Sequence, residues 1–81
     1  MADAVEEWLE RVGASLGVPV HEVLPGALQS ELLGVTGDIA HNVVRVAVPL
    51  SSYLIGVAVG RGASPEEAVR IVAGLLPAGG E

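Results

Sequence analysis

The pattern most informative about the architecture lies in residues 27–47, which read ALQSELLGVTGDIAHNVVRVA. Apolar residues recur there at steps of three and four, the spacing that places side chains on one face of an α-helix. Further apolar residues widen this face until only a narrow polar strip remains. A helix that is apolar over most of its circumference belongs in the middle of a bundle. We therefore predict a long central helix over residues 27–47.

Three further helices are predicted before and after this central one. The first carries Asp3 as an N-cap and is ended by Gly17, a residue that readily adopts the left-handed conformation after a helix. The next starts at Pro49, because proline can begin or kink a helix. Ser64 followed by Pro65 marks the start of the last one, since serine caps helix N-termini and proline suits the first helical position. The predicted spans are 3–16, 49–60 and 65–76. The buried face of the last helix is predicted to consist of Ala68, Val69, Val72, Leu75 and Leu76.

The competing interpretation is β structure, because residues 43–48 and 57–59 are rich in valine, which favours strands. The three- and four-residue spacings and the helix-start signals favour helices instead. We predict an all-α fold, a compact bundle of four helices. It forms a single domain over residues 1–77 and is followed by a flexible tail at 78–81.

The composition limits what the domain can do. With 81 residues and no Phe, the chain has little material for a core of its own. A domain of this size buries only roughly 60% of the surface that its unfolded form exposes, so contacts with partners are expected to cover more. A net charge of −6 repels a phosphate backbone and excludes nucleic-acid binding. The lack of Cys removes disulfides, thiolate metal sites and cysteine nucleophiles.

The longest uncharged stretch runs from Val46 to Gly60. Crossing a bilayer takes about 20 apolar residues, so we interpret this shorter stretch as a buried helix of a soluble protein rather than a membrane segment. The first ten residues carry acids and lack the basic start of a secretory signal. We expect a cytoplasmic location.

Asp38, His41 and Arg45 form the candidate ligand-binding site. Their spacing of three and four places all three side chains on one face of the predicted central helix. Arg45 suits a carboxylate or phosphate, His41 a donor or proton carrier, and Asp38 would fix the tautomer of the imidazole. The alternative is a polar strip that pairs within its own helix. As metal ligands, Asp38 and His41 supply two at most. Only His21 from across the fold or a symmetric dimer could complete a zinc site, so no metal site and no cofactor are predicted.

Small residues at a spacing of four mark a candidate interface. Ser52, Gly56 and Gly60 form a stripe that lets a neighbouring helix approach closely. Trp8, in the first helix, is interpreted either as a core anchor or as an interface aromatic.

Several motifs together resemble a small uncharacterised all-helical domain family of high-GC bacteria. They are Trp8 in the first helix, the Asp-x-Ala-His-x-x-x-Arg run at 38–45, the Ala-x-Pro-Leu-Ser-Ser run at 47–52 and the Pro-Glu-Glu-Ala start at 65–68. Members of that family occur alone, or beside or fused to nucleotidyltransferases similar to the molybdenum-cofactor guanylyltransferase. The resemblance implies an accessory role near molybdenum-cofactor assembly, with a nucleotidyltransferase-type partner protein.

Two hypotheses of function follow. The first is a non-enzymatic helical interaction module that self-associates through its apolar helix faces. The alternative is a domain that binds a small anionic ligand through Asp38, His41 and Arg45. An enzyme is not predicted, because the sequence offers no nucleophile–base pair and no complete metal set.

Overall fold

The computed structural model describes residues 4–77, and all regular structure in this range is helical. Four of the helices are ten residues or longer, so the predicted all-α fold with four main helices is confirmed. Asp3, the predicted first N-cap, and the predicted tail at 78–81 lie outside the described residues. The bounds are α1 Ala4–Leu16, α2 Val20–Val23, α3 Gly26–Asn42, α4 Ala47–Gly60 and α5 Pro65–Gly74.

The central helix α3 ends at Asn42, five residues earlier than the sequence predicts. Pro49 accounts for the break, because in a continuous helix its ring would collide with the carbonyl of Arg45 and its nitrogen could not donate to that carbonyl. Arg45 O instead accepts from the N–H of Val48 at 3.1 Å, in a tight turn. The turn at 43–46 then leads into α4, which starts two residues before Pro49.

Left-handed glycines end two of the helices. Gly17 has φ of 72°, and the backbone N–H of Val18 donates to Gly13 O at 2.8 Å, which closes a Schellman motif after α1. The same motif follows α4, where Gly62 has φ of 108° and the N–H of Ala63 donates to Ala58 O at 3.0 Å. The sequence prediction that Gly17 ends the first helix is confirmed.

Ser64 caps the N-terminus of α5 as predicted. Its Oγ accepts from the backbone N–H of Glu67 at 3.3 Å, and Pro65 occupies the first helical position. The Ser64 hydroxyl donates in turn to the Glu66 carboxylate at 3.3 Å. The cap therefore uses the two acidic residues of the first turn, where the helix dipole also favours negative charge.

The core lies between α3, α4 and α5, which pack against one another. The buried apolar residues of the described range are few and medium-sized, and even the best buried, Ile39, keeps 3% of its surface exposed. Leu75, predicted to face the core from α5, is 78% exposed. The thin core expected from the composition is present. Its members are Leu28, Val35, Ile39, Ile55, Ala68 and Val69.

Helix α1 packs on α2 rather than joining the packing of α3, α4 and α5. Its buried residue is Gly13, against which Val20 of α2 is seated. At the edge of this contact, His21 Nε2 lies 3.2 Å from Glu10 Oε2. Trp8 is 61% exposed, so the interpretation of this residue as a core anchor is wrong for the chain by itself.

Helix α4, which contains most of the uncharged stretch, is not a buried helix as predicted. Ile55 is buried, but Leu50, Tyr53 and Leu54 on other sides of the helix are exposed. Helix α4 packs with one face against α3 and α5, and no helix of the described chain covers its opposite face. Within residues 4–77, no helix combines the length and hydropathy needed to cross a membrane.

Candidate functional site

The three residues of the candidate ligand site do not share one helix. Asp38 and His41 lie on the last turns of α3, whereas Arg45 lies in the turn that follows it. All three are exposed, and within the described range none of them is joined to another by a hydrogen bond or ion pair. The single helical face predicted for the three side chains is therefore not formed. The early end of α3 is the reason, because a helical register cannot be extended through a turn.

The backbone near Arg45 adds little to an anion site. Helix N-termini attract anions through unpaired N–H groups, and α4 begins two residues after Arg45. However, the N–H of Ala47 donates to Val44 O and that of Val48 donates to Arg45 O, both at 3.1 Å. Pro49 has no N–H to donate. An anion at this place would depend on the side chains of Arg45 and His41.

The outer face of α4 is the most unusual surface of the molecule. We define it by Leu50, Tyr53 and Val57, which lie roughly opposite the buried Ile55 at about 100° per residue. Leu50 is 64% and Tyr53 is 72% exposed. The helix carries no charged residue from Ala47 to Gly60. A surface helix normally carries polar residues on its solvent side, so this face has the composition of a buried one.

The predicted small-residue stripe borders this outer face. Gly56 and Gly60 are exposed, and a Cβ built on either of them would meet no atom within 4 Å. Ser52, half-buried, lies nearer the packed side of α4. No helix of the described chain approaches these glycines. The space that they leave open is available to a helix from another molecule.

A groove of about 330 Å³ runs between α4 and α5, next to the outer face. Its floor holds small residues such as Ala58 and Ala68, and Leu54, Ile71 and Leu75 form its exposed walls. Sequence reasoning missed this groove, because it assigned Leu75 to the core and left Ile71 aside. Helix α5 ends at Gly74, and this glycine, followed by Pro77, was the available signal in the sequence that Leu75 would lie beyond the helix.

A second cleft, of about 650 Å³, lies between α1, α2 and the start of α3. Leu9, Leu24 and Leu33 supply its apolar part, and Glu10 and His21 supply polar atoms at one side. Among residues 4–77, no three His, Asp or Glu side chains come together in a way that could hold a metal ion. His21, which contacts Glu10, lies on α2, whereas His41 lies on α3.

Comparison with known proteins assigns the chain to a family. A family model described as "Domain of unknown function (DUF6457)" matches residues 1–80. The chain therefore belongs to the DUF6457 family, and the match covers nearly its whole length. No curated protein and no solved structure matches it.

Proposed function

We propose that this member of the DUF6457 family is a non-enzymatic helical interaction module that self-associates. The observation that carries the proposal is the exposure of apolar side chains. In the described range, six apolar residues are buried, whereas fifteen large apolar residues are exposed. Large exposed apolar patches mark protein–protein contact sites in soluble proteins, and Leu50, Tyr53 and Leu54 are members of this exposed set that neighbour one another on α4.

The accessible surface supports the same proposal. The chain exposes 5941 Å², whereas a folded chain of 8.2 kDa exposes about 4,500 Å². The excess of about 1,400 Å² is larger than the roughly 800 Å² that each partner contributes to a standard interface. One standard interface with a second copy would therefore remove more than half of this excess.

The test is the mass of the chain in solution as a function of concentration. Native mass spectrometry and light scattering are expected to show a dimer that dissociates on dilution. The melting temperature should rise with protein concentration, because association stabilises the folded state by mass action. A chain that stays monomeric at all concentrations, with one constant melting temperature, would overturn self-association.

The family resemblance supports a second partner. We propose that the module acts in the cytoplasm as an accessory to a nucleotidyltransferase similar to the molybdenum-cofactor guanylyltransferase. The exposed edge of α1 offers a separate surface for such a partner, with Trp8 at its centre between Val5 and Leu16. Aromatic anchors of this kind often dominate binding energy. In a titration of the two purified proteins, Trp8→Ala should weaken binding at least tenfold, while Leu33→Ala, a change at an equally exposed residue of α3, should not.

The alternative function is binding of a small anion by Arg45 and His41, with Asp38 beside them. The exposure of all three side chains favours it, since no partner within the described chain competes for them. With inorganic phosphate as the probe, the wild type should show a rise in melting temperature that Arg45→Ala and His41→Ala both lose. Because these side chains are exposed, neither substitution should unfold the chain. The absence of any phosphate effect on the wild type would exclude the alternative.

A further inference from the structure

We propose that the second copy docks on the outer face of α4, so that two α4 helices cross next to Gly56 about a two-fold axis. This inference rests on the proposed self-association and names its surface and symmetry. It assigns the interface to Leu50, Tyr53, Val57 and the glycines at 56 and 60, rather than to α1 or to the groove between α4 and α5.

The distribution of charge favours a second copy of the chain as the molecule that docks on α4. The chain carries a net charge of −6, so most of its surface would repel an identical molecule. Helix α4 contains no charged residue, and the nearest one along the chain after it is Arg61. By contrast, α1 carries Glu6, Glu7 and Glu10. Docking α4 on α4 therefore brings together two helices without acidic side chains, whereas docking α1 on α1 would bring together helices that each carry three.

Shape is the second argument. Packed helices lie about 8–10 Å apart, and the distance depends on the side chains at the contact. At Gly56 and Gly60 there is no side chain. Apart from the adjacent residues and the backbone of α4 itself, nothing lies within 4 Å of a Cβ placed there. Two helices can therefore approach closely at this point. The exposed rings and methyl groups of Tyr53 and Val57 then pack around the crossing.

Two-fold symmetry and the accessible surface of the chain are also compatible with a dimer. A two-fold contact uses the same patch on both copies, so it closes after two molecules. The chain exposes about 1,400 Å² more than an average folded chain of its mass, and a standard interface covers roughly 800 Å² of each partner.

Gly56→Leu is the decisive substitution, with Gly37→Leu as its matched control. Both glycines are exposed, lie inside a helix and have open space around a Cβ, so neither leucine should disturb the folded monomer. Gly56→Leu is expected to raise the dissociation constant of the dimer at least tenfold, because overpacking at the crossing is destabilising. Gly37→Leu should leave it unchanged. Circular dichroism of both variants checks that the helices are retained.

Cross-linking locates the contact independently of stability. Because the chain has no Cys, a single introduced thiol is a unique reporter. Treatment of Val57→Cys with a short bismaleimide should yield a covalent dimer, while Leu75→Cys in the groove should not. Dimers that form at Leu75 instead, or that survive Gly56→Leu, would overturn the α4 crossing but leave self-association standing. A wild type that is monomeric at all concentrations would overturn both proposals.

Discussion

At Gly13, the lack of a side chain allows α1 and α2 to meet. Gly13 is buried, its carbonyl accepts the N–H of Val18, and a Cβ on it would lie 2.8 Å from Val18 O and against Val20 Cγ2. The carbonyl oxygen belongs to the backbone of a tight turn, so it cannot move away as a flexible side chain could. A glycine in a helix normally costs about 1 kcal/mol relative to alanine. At position 13, the close contact between α1 and α2 explains why glycine is present in spite of this cost.

Gly13→Ala should therefore destabilise the protein, although alanine is the better helix former. We expect the free energy of unfolding to fall by about 1–3 kcal/mol, the range typical of overpacking. The control is Gly34→Ala, where nothing lies within 4 Å of a Cβ and stability should rise by up to about 1 kcal/mol. Urea unfolding of both variants at one protein concentration gives the comparison. Equal gains at the two positions would contradict the predicted clash.

At the scale of the elements, the helices differ in the packing contacts that stabilise them. Helix α3 supplies three of the six buried apolar residues and packs against both α4 and α5. Helix α1 has an equally regular apolar stripe, but its packing partner is the single turn of α2. Short helices are marginal in water without tertiary packing. The contacts at Gly13 and between Glu10 and His21 are the ones that α1 depends on.

Hydrogen exchange should report this difference directly. We expect the backbone amides of α1 to exchange at least tenfold faster than those around Val35 and Ile39 in α3, because local opening of α1 exposes little buried apolar surface. The measurement is native-state exchange followed by mass spectrometry of peptides, on dilute protein. Uniform protection of α1 and α3 would show instead that the two helices open as one unit.

At the scale of the whole molecule, an acidic chain carries an uncharged helix on its surface. The net charge of −6 keeps copies apart at long range, while the outer face of α4 favours contact once they meet. Repulsion between exposed charges is screened over about 10 Å at 0.1 M ionic strength. Association of this kind is therefore opposed by electrostatics and driven by burial of apolar surface.

Added salt should strengthen self-association. The dissociation constant is expected to fall as ionic strength rises, because screening removes the repulsion between two acidic copies. Lowering the pH toward the isoelectric point near 4.6 should act in the same direction, since the net charge then approaches zero. Sedimentation across a salt series measures both effects. Weaker association at high salt would indicate an interface held by ion pairs rather than by the outer face of α4.

The candidate site shows where sequence reasoning reached its limit. The spacing of Asp38, His41 and Arg45 was correctly identified, but the shared face needed a helix that continues past Asn42. The effect of Pro49 on the residue four positions before it was the available signal, and it places the break near Arg45. The exposure of Trp8 and Leu75 was harder to predict. Their positions fit an apolar helix face, yet periodicity does not tell whether another element covers that face.

Local signals in the sequence determined which parts of this protein are helical and where several helices end. The Ser64 cap, the left-handed Gly17 and the apolar spacings act within one or two turns, so they can be recognised without a fold. Only the tertiary structure decided which apolar faces are covered. Coverage depends on contacts between residues far apart in the chain, and those contacts join α3, α4 and α5 while leaving the outer face of α4 exposed. That uncovered face underlies the function proposed for the molecule.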